Sequence, residues 1–360
     1  MFNKIYIKFI YKVFITRFLY VSLIFSSLIF IMNILEELKF FKDQDIDISQ
    51  PIFLTILNLP SILFEIFPFI ILITTQFFFI KLQNNSEILI FKNNGVNNLK
   101  IISYICFITF LIGLALITLF HFISSNMKYN YFDVKNKYTK DNKYLAVITE
   151  NGLWIKDSIN NNSMIIHAEK INRNILNNSI ITIFDDRSQN EKTILAPEIV
   201  ITSKKWNLKK ATIINNNGSK EVINNFILST NFDYLKINSL FSNLDSLNIF
   251  MLFNQKKDFE NVGLNVSDID IKIYELILLP VSLMIFCLVS SILMLKVDYK
   301  KSVFFALIIG ILLSVMIYYI YYFFELLGNN NKIPIFLAVW LPNLLLLLSC
   351  MVGIVDINEK

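Results

Sequence analysis

The side chains in this sequence that could do chemistry are charged residues beside long hydrophobic segments. Lys39 and Lys42 follow the first such segment, where an ammonium group is either ordinarily solvated or binds an anionic headgroup or phosphate that enters sideways from a membrane. Glu87 lies in a polar segment, Lys81 to Lys100 (KLQNNSEILIFKNNGVNNLK), where a carboxylate suits the positive end of a helix dipole. These residue types indicate recognition of anions and of a partner protein.

The segment Lys81 to Lys100 predicts a helix of about two turns. Asn85 and Ser86 can cap its start, and Gly95 is placed to end it. The run from Ile88 to Phe91 is too apolar for a solvated loop, and so short a helix is marginal alone in water. We therefore expect this helix to dock in the groove of a separate cytoplasmic protein, an ATPase, which moves the membrane part through it.

Motifs for catalysis and for nucleotide binding are absent from the sequence. None of the eight glycines belongs to a G-x-x-x-x-G-K-[ST] phosphate loop, and neither H-E-x-x-H nor G-x-S-x-G occurs. Cys106, Cys287 and Cys350 each stand singly in an apolar segment, which predicts packing rather than a disulfide or a metal site. We therefore expect no enzymatic activity, no cofactor and no metal. Nucleic-acid binding needs basic residues interleaved with aromatic ones on one face, and the sequence has no such pattern.

The elements that must position these residues are membrane-spanning helices. The sequence is 55% hydrophobic, which is more apolar surface than one soluble core of this size buries. Pro60 and Pro68 interrupt the second span, with Glu65 between them, and predict a break or kink there. Six segments are long enough to cross about 30 Å of hydrocarbon as helices: residues 13–35, 52–80, 101–123, 273–295, 303–327 and 333–355.

Lys and Arg in the short flanks predict the orientation of the spans, because these residues are retained on the cytoplasmic side. One set of flanks is poor in them and holds Lys39, Lys42 and Lys332. The other set is rich in them: Lys4, Lys8, Lys12, Arg17, Lys81, Lys92, Lys100, Lys296, Lys300, Lys301 and Lys360. Both termini and the segment 81–100 are therefore predicted to be cytoplasmic, and the long insert after the third span lies outside.

The insert between spans three and four is polar and contains short β-rich runs, separated by turn-like clusters at intervals of about ten residues. This pattern predicts an extracytoplasmic all-β domain of sandwich or jelly-roll type over residues 124–242, whose interior could hold its own side chains or lipid acyl chains. Trp154 and Trp206 are expected to be core or edge anchors of its sheet. The runs are Tyr144 to Thr149, Leu153 to Lys156, Met164 to Ala168, Ser179 to Phe184, Lys192 to Leu195, Ile199 to Ser203 and Ala211 to Asn215.

Residues 243–272 return to helical spacing, with apolar residues followed by Gln255, Lys256 and Lys257. This spacing predicts an amphipathic connector that leads to span four. The predicted organisation is therefore spans one to three in residues 1–123, the all-β domain, the connector, and spans four to six in residues 273–360.

Several motifs, taken in this order, resemble the lipopolysaccharide export permease family LptF/LptG, also known as the YjgP/YjgQ permeases. They are LPSILFEIFPF in span two, SEILIFKNNGV in the polar segment, NGLWIKD in the β-domain, Pro280 in span four, and IPIFLAVWLPN at the start of span six. The resemblance extends over nearly the whole chain. NGLWIKD and the ELK ending of span one are closer to the LptG branch than to LptF.

The resemblance implies an inner-membrane permease subunit of an ABC-type exporter that extracts lipopolysaccharide. It implies a cytoplasmic ABC ATPase dimer, a paralogous permease subunit, and a periplasmic bridge of jelly-roll proteins as partners. The acidic residue of the family's ATPase-coupling helix falls on Glu87, and one substrate-facing lysine falls on Lys39. With the analysis of the residues above, the expected coupling residues are Glu87, Ile88, Phe91 and Gly95, and the expected headgroup-binding residues are Lys39 and Lys42.

Two features depart from the family pattern. Leu276 stands near the place where the family commonly has a basic residue before the span-four proline, and Glu36 and Glu37 reduce the positive charge at the end of span one. An alternative function is that of a membrane-anchored envelope scaffold or sensor whose β-domain binds a partner without transport. A simple anchor, however, needs one or two spans rather than six with broken helices. A membrane enzyme is a third alternative, and the spans lack the clustered acids or His/Ser constellation that it requires.

Overall fold

A computed structural model of the chain describes residues 2–42, 46–136, 138, 153–159, 162–172, 174–184, 190–216, 218–230, 232, 237, 243–262, 265–296, 303–330 and 332–358. It divides into two compact units. Met1–Lys128 and Ser267–Lys360 form the first, the helical unit, and Tyr129–Val266 form the second, the sheet unit.

The first half of the helical unit begins with one long helix, α1 (Phe2–Phe40). It is followed by α2 (Ser49–Glu65), α3 (Phe67–Asn84) and the short α4 (Glu87–Asn93). The next helix, α5 (Asn98–Ala115), passes through a π-helical turn, Leu116–Phe120, into α6 (His121–Asn136). The second half of the unit contains α8 (Ser267–Lys296), α9 (Val303–Asn329) and α10 (Ile335–Asn358).

The described part of the chain contains six helical segments that are long and apolar enough to cross a membrane. They are Ile5–Phe40, Phe67–Asn84, Asn98–Lys135, Ser267–Lys296, Leu307–Asn329 and Ile335–Asp356. Each coincides with one of the six predicted spans, so the predicted number and order of spans are confirmed.

The second span is divided differently from the prediction. Pro60 lies inside α2 and does not end it, and the break falls at Ile66, between α2 and α3. Pro68 therefore lies in the first turn of α3. Backbone N–H groups in the first turn make no hydrogen bond within the helix, so a proline there removes none. The break is consistent with Pro68, whereas Pro60 does not end α2, and a kink at Pro60 stays a prediction.

Two glycines allow the helices of this unit to approach closely. A Cβ atom at Gly113 on α5 would lie 2.6 Å from Cα of Pro280 on α8. A Cβ atom at Gly310 on α9 would collide with the side chain of Gln76 on α3. Gly310 therefore permits close packing of α9 against α3 of the same chain.

The sheet unit contains β1 (Leu153–Ile159), β2 (Asn162–Asn172), β3 (Ile175–Phe184), β4 (Asn190–Val200), β5 (Lys205–Asn215) and β6 (Lys220–Ser229). These described strands pair antiparallel in chain order, as a meander. The all-β prediction is confirmed, but a jelly roll also pairs strands that are distant in the chain, so this order does not confirm that part of the prediction.

The strands are generally longer than the predicted runs. The run at 192–195 and the first two residues of the run at 199–203 belong to one strand, β4, which continues through Pro197. The strand β6 was not predicted, and the predicted run at 144–149 lies outside the described residues. The helix α6 also extends to Asn136, beyond residue 124, where the β-domain was expected to begin.

One face of the sheet forms a core that is filled by its own side chains. Ile166, Ile181 and Leu208 are fully buried in a single cluster that draws residues from all six strands. Trp206 belongs to this cluster, and its Nε1 donates a hydrogen bond to the carbonyl oxygen of Phe232 at 2.8 Å. Trp154 on the edge strand β1 is exposed, with its ring 4.2 Å from that of His167. One predicted anchor is therefore in the core and the other is on an edge.

The predicted connector contains a 3₁₀ turn, Leu244–Ser246, and the helix α7 (Ile249–Val262). Leu252 on α7 is buried, whereas Phe250 and Phe253 are exposed. The helix is therefore amphipathic, and it also presents large apolar side chains outward.

Candidate functional site

The C-terminal end of α4 has a geometry that favours glycine. Gly95 has φ +79°, its N–H donates to the carbonyl oxygen of Lys92 at 3.0 Å, and the N–H of Val96 donates to that of Phe91 at 2.9 Å. These two bonds form a Schellman motif, in which the left-handed residue is usually glycine because it has no Cβ. Asn97 then caps α5, since its side chain accepts from the N–H of Lys100 at 3.1 Å. The predicted role of Gly95 in ending the helix is confirmed.

The N-terminal end of α4 differs from the prediction. Ser86 occupies the N-cap position but has φ 55°, and its side chain makes no capping hydrogen bond. The Asn85 side chain instead donates from Nδ2 to Oε1 of Glu87 at 2.8 Å. The predicted side-chain caps are therefore wrong, and Asn85 orients the carboxylate of Glu87. The other carboxylate oxygen, Oε2, is buried and meets no hydrogen-bond donor in the part of the chain that the structure describes.

The apolar residues of α4 divide into an inward and an outward pair. Ile88 and Phe91 are buried, and the Phe91 ring lies 6.3 Å from Tyr6 and 6.2 Å from Phe9, both on α1. The helix α4 therefore packs against α1 of its own chain. Ile88 and Phe91 fix the position of α4, and their predicted part in coupling stays a prediction.

The outward pair is Leu89 and Ile90, with exposed fractions of 59% and 55%. Together with Glu87 they form a surface that we call the docking face. An open cavity of about 270 Å³ lies beside it, between the start of α1 and α4, and is lined by Ile5, Tyr6, Phe9, Glu87, Ile90 and Phe91. Leu89 and Ile90 were not among the predicted site residues, because the sequence gives no sign of which side α1 covers.

The start of α1 is also held to α5. The hydroxyl groups of Tyr6 and Tyr104 lie 3.3 Å apart and share a hydrogen bond. Tyr6 therefore contacts both α4 and α5, and joins the start of α1 to these two helices.

The predicted headgroup-binding residues lie at the other end of α1. Lys39 and Lys42 are both exposed, and so is Glu36, whereas Glu37 is fully buried. The carboxylate of Glu37 is therefore turned away from the surface that carries the two lysines. Of the two acidic residues that were expected to weaken the positive charge, only Glu36 shares that surface.

A buried polar network holds this end of α1 to two other helices. Nδ2 of Asn58 on α2 donates to Oδ1 of Asn33 on α1 at 3.2 Å. Nζ of Lys128 on α6 donates to Oδ1 of Asn58 at 2.6 Å. Polar groups in apolar surroundings are costly unless they are paired, so this network specifies how the three helices meet. Sequence reasoning missed these residues, and the one available signal was their polarity inside apolar segments.

Replacing Asn58 with leucine is expected to lower the thermal stability of the chain. The change removes both hydrogen bonds and leaves the Asn33 amide buried, at a cost of about 1–3 kcal/mol. Thermal unfolding of the purified full chain in detergent measures it. Asn254→Leu, at an exposed position on α7, is the matched control and should unfold like the parent chain. If Asn58→Leu unfolds at the same temperature as the control, the network does not stabilise the helix arrangement.

The chain matches a protein-family model over nearly its whole length and a bacterial protein over about half of it. The family model described as "Lipopolysaccharide export system permease LptF/LptG" matches residues 8–355. "Uncharacterized protein RP871" of Rickettsia prowazekii (strain Madrid E) is 25% identical over 194 residues, which is 53% of this chain and 51% of that protein. The match thus spans about half the length of this relative. The family description covers both branches, so closeness to LptG stays a prediction.

Proposed function

The chain belongs to the lipopolysaccharide export system permease LptF/LptG family, and from this premise we propose that it is the non-ATPase subunit of an ABC-type exporter that extracts lipopolysaccharide. The observation that carries the proposal is the docking face on α4. It combines two exposed apolar side chains with a carboxylate whose second oxygen has no donor in the described chain. An arginine or lysine of a partner that lies against this half-buried side chain would pair with its negative charge.

The proposed mechanism uses α1 as the element that transmits force. A cytoplasmic ABC ATPase dimer binds the docking face and moves α4, and Phe91 passes the movement to Tyr6 and Phe9. The helix α1 has 39 residues and is continuous, so it is about 58 Å long. Movement at its start therefore reaches Lys39 near its end, where the ammonium groups of Lys39 and Lys42 bind lipid phosphates.

The helical unit is a multi-pass inner-membrane element, and we propose that both of its termini face the cytoplasm, with the sheet unit in the periplasm. The spans in α1 and α9 leave most of their apolar surface exposed, which suits contact with lipid and with a paralogous permease subunit. The sheet unit would pass the lipid to a periplasmic jelly-roll protein of a bridge. Its core is filled by its own side chains, so an acyl chain would enter only if that core opened.

Replacing Glu87 with alanine tests the proposal. We expect the rate of ATP-dependent lipopolysaccharide release to fall by about tenfold or more, because the variant loses a charge-assisted hydrogen bond to the partner. Release is measured from proteoliposomes that contain the chain with its co-purified partners. Glu221→Ala, which removes an exposed carboxylate on the strand β6 of the sheet unit, should release lipid at the parent rate. Parent-like release by Glu87→Ala would instead favour the scaffold or sensor function.

A further inference from the structure

A second cavity, of about 240 Å³, lies in the helical unit away from the docking face. It is formed where α2 and α9 end and where α3, α8 and α10 begin, and α4 follows the opposite end of α3. Glu65, the last residue of α2, is among its lining residues.

The inner part of this cavity is apolar, with a polar group at one point. Phe64, Leu278 and Phe286 supply apolar wall. Oδ1 of Asn343 accepts hydrogen bonds from Oγ of Ser282 at 2.8 Å and from the hydroxyl of Tyr321 at 2.6 Å. These bonds hold the lining of the cavity in one arrangement, so its shape does not depend on a bound molecule.

The cavity is open to a ligand on one side. Tyr318 and Tyr322 both line it and are each about half exposed. A volume of this size holds a headgroup or part of one acyl chain but not a whole lipid. A lipid bound here would therefore place only one part inside, and the rest would pass between the exposed aromatic rings.

The charged residues that line the cavity are mostly acidic. They are the three carboxylates of Glu65, Glu275 and Glu325 and the single ammonium group of Lys272. The acidic groups remain in excess whichever of them Lys272 pairs with. A lipid that carries several phosphates would be repelled here, which distinguishes this cavity from the surface with Lys39 and Lys42.

A bound metal ion does not account for these acids. Within the described residues, no group of three or more His, Cys, Asp and Glu side chains is arranged to hold a metal ion. An organic cation with an apolar part fits both the charge and the aromatic lining, because ammonium groups bind to carboxylates and to the faces of tyrosine rings.

We propose that this cavity binds a phospholipid with a primary-amine headgroup, of the phosphatidylethanolamine type. The headgroup is the part inside the cavity: the ammonium group of the lipid meets the carboxylates and its phosphate meets Lys272, while the acyl chains pass out between Tyr318 and Tyr322. The site goes beyond the proposed export function and does not depend on it. The helical unit would then have two separate lipid sites. This cavity binds a bulk membrane lipid, and the surface with Lys39 and Lys42 binds a lipid that carries several phosphates.

Native mass spectrometry of the purified full chain tests this proposal. The chain is incubated with an equimolar mixture of phosphatidylethanolamine and phosphatidylglycerol that carry the same acyl chains. We expect phosphatidylethanolamine to be retained preferentially. The double variant Glu275→Gln/Glu325→Gln should lower its retention by about tenfold, because each carboxylate loses its charge-assisted hydrogen bond. The matched control Glu198→Gln/Glu221→Gln removes two exposed carboxylates of the sheet unit, outside the cavity, and should keep the preference.

A second variant keeps the test decisive if the double variant folds poorly. Leu279→Trp places an indole in the cavity without changing its charge, and should reduce retention of phosphatidylethanolamine while the chain still elutes as one species in size-exclusion chromatography. Equal or stronger retention of phosphatidylglycerol or lipopolysaccharide by the parent chain would overturn the proposal. Parent-like retention of phosphatidylethanolamine by both folded variants would also overturn it.

Discussion

Replacing Leu89 and Ile90 together with aspartate is expected to abolish co-purification of the chain with an ATPase. Both side chains are exposed on α4 and form the apolar part of the docking face. A carboxylate that is buried in the interface without a partner costs about 3–5 kcal/mol, so binding should weaken by at least about a hundredfold. Two added carboxylates beside Glu87 would also repel any acidic group of the partner. Quantitative pull-down from native membranes measures the loss.

The control for this double variant is Val222→Asp. Val222 is also an exposed apolar residue, but it lies on β6 in the sheet unit. This variant should co-purify with the ATPase as well as the parent chain does. Retention of the ATPase by the Leu89/Ile90 variant would show that α4 is not where the ATPase binds.

Replacing Gly113 with valine is expected to prevent the helical unit from folding stably. A Cβ atom there would lie 2.6 Å from Cα and 3.3 Å from the backbone nitrogen of Pro280. Backbone atoms cannot rotate away as a side chain can, so α5 and α8 would have to separate. Overpacking of this kind costs about 1–3 kcal/mol in ordinary cores, and a valine against backbone should cost at least the upper value. The yield of monodisperse protein and its unfolding temperature measure the effect.

Gly353→Val is the matched control for this prediction. A Cβ atom at Gly353 would meet only side-chain atoms of Ile292, the nearest at 2.9 Å, and these can shift. The control should therefore fold in good yield with a smaller loss of stability. A Gly113 variant that unfolds at the same temperature as this control would show that the contact with Pro280 is not tight in the membrane.

The sequence predicted the six spans because hydropathy and length suffice for a helix that crosses a bilayer. It predicted a break or kink at both prolines of the second span, but not which of them divides the helix. Proline is compatible both with the interior of a membrane helix and with its first turn, and packing decides between them. Pro60 adopts the first of these arrangements and Pro68 the second.

The strand β6 could not be predicted from the sequence for a different reason. Its residues Lys220–Ser229 include Asn224 and Asn225 and are nearly all exposed, so there is no buried alternation to detect. It forms because its backbone pairs along the length of β5. Such pairing is a long-range property that composition does not reveal.

The features of the site that depend on residues close together in the sequence were predictable. Gly95 and the existence of α4 follow from turn chemistry and local composition, and both are present in the structure. The division of α4 into buried and exposed residues depends on Tyr6 and Phe9, about eighty residues earlier in the chain. The network of Asn33, Asn58 and Lys128 also joins distant segments, and no spacing within one helix indicates it.

The central claim is that a separate ATPase binds the chain at α4, and photocrosslinking tests it most directly. A photoreactive amino acid is placed at Ile90 on the docking face, and at the buried Phe91 as the control. Native membranes are irradiated, and the adducts are identified by mass spectrometry. Our account predicts that Ile90 crosslinks to a cytoplasmic ATP-hydrolysing protein and that Phe91 does not. An adduct of Ile90 with an envelope protein alone, or no adduct with an ATPase, would contradict it.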